Sequence, residues 1–246
     1  MIPYVRRKKI LAELGKKEIV YISDLEKTLP DISEATIRRD LKALEEEGYI
    51  ELLRGGAAKL RTWSYDVPLQ TKERLHIQEK DRIARYAASL VDDGEVIYID
   101  SGSTTLQMVK YLKDKQIEVV TSGTQIVNVL HECKFSCILL GGEVISSIGS
   151  ISGPITERQL SELFFDKAFL GASGYTLKGG INTPDLREAT KKRLVMEHSQ
   201  KTYVLMDGSK ANKQTLCKAL DFDECIILTD ETNELLETSA EFIVVP

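Results

Sequence analysis

At 246 residues, 42% hydrophobic and 29% charged, the chain has the composition of a folded protein with room for one α/β domain and a small module. No apolar run approaches the ~20 residues of a membrane span, and the segment after the first basic residues is too short and polar for a signal peptide, so a cytoplasmic protein without a membrane partner is expected. The net charge of −5 argues against nucleic acid on average, yet residues 1–62 hold 13 Lys and Arg against 11 Asp and Glu, about +2, leaving about −7 for the rest.

Cys133, Cys137, Cys217 and Cys225 lie in mainly apolar segments without C-x-x-C spacing and read as reduced, packed thiols. No metal cluster and no cofactor motif is visible.

In chain order, residues 4–14 are predicted to form a helix with Val5, Ile10, Leu11 and Leu14 on one face, ended by Gly15. Ser23-Asp24-Leu25-Glu26 fits a capping box, so a second helix is expected from Ser23, turned inward by Leu25 and Leu29 and stopped by Pro30. Ser33 is the next N-cap. Ile37, Leu41 and Leu44 recur at four and three residues along a third helix closed by Gly48.

Two helices joined by the tight LPDIS connection make a helix-turn-helix, the second being the recognition helix. Arg38, Arg39 and Lys42 on that helix are also the ordinary decoration of a solvated face. Small Ala35 and Thr36 at the end where base edges are reached, beside arginines able to clamp phosphates, favour DNA. Residues 49–60 read as a β-hairpin with a Gly-Gly turn, a wing from which Arg54 and Lys59 reach the DNA backbone. The DNA-binding candidates are therefore Ser33, Ala35, Thr36, Arg38, Arg39, Lys42, Arg54 and Lys59.

Residues 1–62 are expected to be this module and 63–78 a linker, with no sustained period, Pro68, and Trp63 packed against one domain. A domain over 79–246 follows. Its first helix starts at Glu79-Lys80 and turns Ile83, Ala84, Ala87 and Leu90 inward. Residues 95–112 then read strand, loop, helix: the run Val96, Ile97, Tyr98, Ile99, the small residues Ser101-Gly102-Ser103-Thr104-Thr105, and Leu106, Val109 and Leu112 on one helical face. Orphan amides and a positive helix dipole prepare such a junction for a phosphate. Ser and Thr are also the preferred helix caps, so these residues alone fit an ordinary crossover equally well. No Lys follows the glycine, which excludes a GxxxxGK[ST] nucleotide loop.

Strands and helices alternate from there: strands at 118–122, 137–142, 167–173, 202–207 and 224–230 and in EFIVVP, with helices in GTQIVNVLHE, ITERQLSELF, REATKKRLVMEHS and NELLETS. This predicts an α/β domain with a mainly parallel sheet. Most strands end in Gly, Ser, Thr or Asp, and ligands of open parallel sheets bind beyond those carboxyl ends.

ISEATIRRDLKALEEEGYIELLRGGA resembles the helix-turn-helix of the DeoR family of bacterial transcription regulators, where TIRRDL and a glycine-rich wing recur at this spacing; the wing departs at Leu52 and Arg54. Glu79-Lys80, DSGSTT at 100–105, TS at 121–122, GG at 141–142, DKAFLGASG at 166–174, EATKKR at 188–193 and DGSK at 207–210 are similar to that family's effector domain, of ribose-5-phosphate isomerase-like type. The resemblance implies that residues 101–105 hold the phosphate of a sugar phosphate with Lys210 beside it. The effector-binding candidates are Asp100, Ser101, Gly102, Ser103, Thr104, Thr105, Thr121, Ser122, Gly141, Gly142, Glu188 and Lys210.

The expected function is a repressor of a sugar-metabolism operon: a winged helix-turn-helix on double-stranded operator DNA, a phosphorylated sugar as effector, and a homodimer or homotetramer as the assembly. The rival is a sugar-phosphate isomerase or deaminase using Lys210 with Asp207 or Glu188 as acid and base. An isomerase has no use for a recognition helix, and His76, His131 and His198 are scattered without a nucleophile motif.

Overall fold

The computed structural model describes residues 3–17, 19–46, 49–60 and 68–246. Backbone contacts divide the chain into two units, residues 1–75 and 76–246.

The first unit contains α1 (Pro3–Lys16), β1 (Val20–Tyr21), α2 (Ile22–Thr28), α3 (Glu34–Glu46), β2 (Ile50–Leu53), β3 (Ala57–Leu60) and α4 (Leu69–Lys72). Its core is the periodic set read from the sequence, Ile10, Leu11, Leu14, Leu25, Ile37, Leu41 and Leu44, joined by Ile50 from the wing, whereas Val5, expected on the same face, is exposed. β2 and β3 pair antiparallel, Leu53 opposite Ala57, around a turn in which Gly55 and Gly56 take φ of 85° and 76°. Such left-handed positions are natural only to glycine.

Three expectations change here. α1 runs through Gly15 to Lys16, since a glycine in the last turn weakens a helix by only ~1 kcal/mol. α2 starts at Ile22, with Tyr21 as a cap lacking any side-chain bond, so the capping box at Ser23 is not used. The Gly56 carbonyl accepts the Ile22 N–H at 2.9 Å, so the wing satisfies the first of the amides left open at the start of this helix. Within the expected linker, residues 68–72 hold α4 and its cap, whereas Trp63, like the closing Gly48, lies outside the described residues.

The second unit opens with α5 (Ile77–Ser89), two residues before the expected start, and β4 (Val96–Ile99). There follow α6 (Ser103–Leu106), α7 (Val109–Leu112), β5 (Glu118–Thr121), 3-10 turns at Thr124–Asn128 and Leu130–Glu132, β6 (Ser136–Leu139), β7 (Glu143–Ile145), β8 (Ser150–Ser152) and α8 (Pro154–Leu160). Then come β9 (Phe165–Gly171), β10 (Gly174–Thr176), β11 (Gly180–Thr183), α9 (Leu186–Glu197), β12 (Ser199–Leu205), a 3-10 turn at Gly208–Lys210, β13 (Cys217–Leu220), β14 (Ile226–Thr229), α10 (Glu234–Ser239) and β15 (Glu241–Val244).

Seven strands form one sheet in the order β15-β14-β12-β9-β4-β5-β6, with every pairing parallel. Alternation along β4 sends Ile97 and Ile99 into one apolar cluster with Ile83, Ala87 and Met108, and Tyr98 into another with Leu170, Val204 and Ile227. A core on each face is what a parallel sheet requires. Two features were not legible as strands: the antiparallel sheet β10-β11-β13 and the β7-β8 hairpin. Their strands are three or four residues long and include Gly, Asn and Ser, which read as turns. The helix expected after residue 105 is instead two short helices, the first beginning at Ser103 within the expected loop, and the one expected from residue 123 is a pair of 3-10 turns.

Candidate functional site

On the first unit, Ser33 closes the start of α3. Its Oγ lies 3.0 Å from Thr36 Oγ1 and accepts the Thr36 N–H at 3.4 Å, while its carbonyl accepts Thr36 and Ile37. Ala35, Arg38, Arg39 and Lys42 are exposed on α3, and Thr36 is half-buried. Arg38 donates to Glu34 one turn back at 2.8 Å, and Lys42 faces Glu46 at 3.9 Å, exposed surface pairs that salt readily screens. Arg54 tips the wing, and Lys59 sits 3.2 Å from Glu51 across the hairpin.

The basic run at the chain start has a different task. Arg6 and Arg7 both reach the buried Asp40 carboxylate, on the inward side of the recognition helix; Arg6 Nη2 donates to it at 3.0 Å and Arg7 Nε at 3.4 Å. These arginines hold α3 against α1. An aspartate between TIRR and LKAL reads as surface decoration in sequence, so this pair was not foreseen.

On the second unit the organising group is Asp100, at the carboxyl end of β4. One carboxylate oxygen accepts the Ser101 N–H at 2.9 Å; the other accepts the Gly171 N–H at 3.0 Å and a bond from the Lys192 ammonium on α9. Burial pushes the acid up, but Lys192, then Lys191 and the bonds received, outweigh it and bring its pKa to about 2. The carboxylate thereby joins β4, β9 and α9 at one point.

Thr105 is fully buried. Its hydroxyl lies 2.8 Å from both the Asp100 and Gly102 carbonyls, so it closes the loop on itself as a cap does. Ser103 and Thr104 are also buried, whereas Ser101 and Gly102 are partly open. α6 is a single turn, so the dipole expected of a long helix is small here, and the loop's donors are its own amides and hydroxyls. The turn after β5 presses against this loop: a side-chain carbon on Gly123 would sit 3.1 Å from the Ser101 Cα. On the other flank, a carbon on Gly102 would meet the Gly171 Cα at 3.6 Å.

Thr121 and Ser122 stand beneath. Thr121 Oγ1 donates to the Ile99 carbonyl at 2.6 Å and accepts the Gly123 N–H at 2.9 Å; Ser122 Oγ pairs with the Tyr98 hydroxyl at 2.9 Å. Gly141 and Gly142, past the end of β6, contact α8 and β8: Gly141 donates to Gln159 at 2.8 Å. Glu188 is buried, and one of its oxygens receives Ser150 and Ser152 at 2.8 Å and Lys191 at 2.7 Å. It anchors the β7-β8 hairpin to α9.

Lys210 closes the turn after β12 and is half-buried. Asp207 caps that turn, accepting the Ser209 N–H at 3.1 Å, and its second oxygen is buried without a hydrogen-bond partner. Burial pushes Asp207 up, but Lys210, the Ser209 bond, His76 and Lys80 together hold it below the usual carboxylate range. Lys80, on α5, is 2% exposed.

The carboxyl ends of β4, β5, β9 and β12 thus carry the small-residue loops, with Lys191, Lys192, Lys80 and Lys210 among them. Lys80, Lys191 and Lys192 were not among the expected site residues. EATKKR and EKDR look like solvated helix, and only burial distinguishes an inward lysine from an outward one. Two clefts of about 320 and 500 Å³ open at the opposite, amino ends of the strands, around Phe164, His198 and Glu241. They are remote from these loops. Among the described residues no group of His, Cys, Asp and Glu has the arrangement of a metal site, and no helix is long and apolar enough to cross a membrane.

Comparison with known proteins places both units. Residues 6–62 match the DeoR-like helix-turn-helix domain and residues 75–231 the DeoR C terminal sensor domain. An uncharacterized HTH-type transcriptional regulator FruR of Bacillus subtilis (strain 168) is 36% identical over 236 residues, 96% of this chain and 94% of that protein. A lactose phosphotransferase system repressor of Staphylococcus epidermidis is 30% identical over 253 residues, 99% of this chain and all of that one. Among solved structures, ribose 5 phosphate isomerase A from Neisseria gonorrhoeae is similar at 18% identity with a TM-score of 0.41, covering 59% of this chain and 56% of that one. With a DNA-binding module and a sensor domain both matched, the chain belongs to the DeoR family of HTH-type transcriptional regulators.

Proposed function

We propose that this regulator is a repressor of a sugar-metabolism operon in the cytoplasm, reading operator DNA through α3 and the wing and sensing a phosphorylated sugar at the carboxyl ends of β4, β9 and β12. The observation that carries the effector assignment is the Asp100 junction: its charge is matched by Lys192, and it holds the 101–105 loop against Gly171. With Thr105 spent on loop closure, the loop amides and the hydroxyls of Ser101, Ser103 and Thr104 are the donors for a phosphate. Lys210 and Lys80 supply the cations that a buried dianion requires. The Staphylococcus relative's name, a repressor of a lactose phosphotransferase system, supports a sugar-linked signal.

The enzyme reading has less support. An acid-base pair needs a carboxylate whose pKa suits proton exchange near neutral pH, whereas Glu188 is tied to Lys191 and two serines, and Asp207 is held below the usual carboxylate range, which makes it a weak base.

Thermal unfolding against a panel of phosphosugars, followed by operator binding with each hit, tests the proposal. A cognate ligand at a hundredfold excess over its Kd should add roughly 2.7 kcal/mol of apparent stability and change operator affinity. Turnover of ribose 5-phosphate or glucosamine 6-phosphate would instead support the enzyme.

A further inference from the structure

The seven-stranded sheet has two open edges, and the sequence treats them differently. Natural sheets guard edges with charge, proline or a bulge, because a bare strand edge pairs with any other. β15 follows that rule: it begins at the exposed Glu241 and Pro246 lies just beyond it. β6 does not. Its four residues are Ser136, Cys137, Ile138 and Leu139, and the isoleucine and leucine are 41% and 38% exposed.

The surroundings extend the apolar edge. Ile155 on α8 is 62% exposed and lies 4.0 Å from where a side chain on Gly141 would start, which puts it at the end of β6. Val144 on β7, 58% exposed, follows five residues after Leu139. Charges near the strand are closed within the chain: Lys134 with Asp114 at 2.7 Å, and Lys113 with Glu132. A second copy approaching this edge therefore meets an uncharged strand, although the sensor domain as a whole is acidic.

We infer that β6 pairs antiparallel with β6 of a second copy across a two-fold axis, joining two seven-stranded sheets into one. A strand brought against itself by a two-fold is necessarily antiparallel, and its contacts are self-complementary. Ladder bonds of Ser136–Leu139 set the register, and Ile138, Leu139, Val144 and Ile155 supply the apolar area. A stable interface needs about 800 Å² per partner, more than four strand residues cover alone, so the flanking valine and isoleucine are part of the contact. The occupant is a second copy because one recognition helix reads too few base pairs to find an operator, and two-fold pairing matches two half-sites. The inference rests on the family's DNA-binding role and not on the effector assignment.

The test is sedimentation of the full chain at micromolar concentration without DNA or sugar. Ile138→Lys should lower the assembly mass by half, dimer to monomer or tetramer to dimer, while Val244→Lys on the opposite edge leaves it unchanged. In a Cys137→Ser background, Ser136→Cys combined with Leu139→Cys, which face each other across the two-fold, should give a covalent dimer on oxidation, which keeps the proposal testable should Ile138→Lys fail to fold. A monomeric unaltered chain, an unchanged mass in a folded Ile138→Lys, or no covalent dimer from the Ser136→Cys, Leu139→Cys chain overturns it, as does a different protein occupying the edge. A chain that associates through β6 but shows no thermal shift with any phosphosugar would condemn the effector reading and leave this one standing.

Discussion

The Lys192 ammonium on α9 donates to the Asp100 carboxylate at the end of β4, and both side chains are buried. Ninety-two residues apart, they tie the first strand of the sensor domain to the helix that packs on β9, β12 and β13. Removing one partner leaves an uncompensated buried charge, so Lys192→Met should destabilise the sensor domain by about 3–5 kcal/mol, while Asp100→Asn combined with Lys192→Met should recover part of that loss. Denaturant unfolding of the three chains measures it.

The same pair sets an acid limit. Asp100 has its pKa lowered to about 2, against ~3.9 in an unfolded chain, so its contribution is complete above the unfolded value and is lost as pH falls from there through about 2. Stability measured between pH 5 and 2 should fall more steeply for the unaltered chain than for the Asp100→Asn, Lys192→Met double variant. Parallel curves would remove Asp100 as the cause.

On the DNA module the two sides of α3 should separate cleanly. Arg39→Ala, on the exposed side, should weaken operator binding, flatten its salt dependence by about one unit of slope and change stability by no more than ~0.5 kcal/mol. Asp40→Ala, which strands the buried Arg6, should instead destabilise by roughly 2 kcal/mol or more. Equal effects of both on stability would mean that Arg39 is structural.

Within the effector loop, Thr105 and Lys210 should behave differently. Thr105→Val removes a hydroxyl bonded to two carbonyls and should cost about 1–3 kcal/mol of stability with or without ligand. Lys210→Ala should leave ligand-free operator affinity within a few fold and abolish its modulation by the cognate phosphosugar. Operator affinity with and without that sugar decides it; an undiminished response in Lys210→Ala would move the phosphate elsewhere.

Gly123 offers a steric test of the same loop. Gly123→Ala sets a carbon 3.1 Å from the Ser101 backbone, which must yield for it to fit. Effector affinity should drop at least tenfold while operator binding persists. Unaltered effector affinity would show that the Ser101 loop adapts freely.

Patterns that repeat along the chain were legible without a structure. Ile37, Leu41 and Leu44 at helical spacing, and Val96 to Ile99 as a short β-branched run, place the recognition helix and β4, because periodicity and propensity act locally. The glycine pair likewise marks the wing. Folding in three dimensions settled which charged residues turn inward: Asp40, Asp100, Glu188, Lys191 and Lys192 are written in the same alphabet as surface decoration, and besides the local Glu188–Lys191 pair it is partners 33 to 92 residues away that complete their burial. It also moved the start of α2 to Ile22, whose amide is held by a carbonyl from the wing, and made strands of the stretch before α8 that reads as loop. Local propensity cannot encode those choices, since a buried charge or a bare amide is stable only once a distant group arrives to complete it.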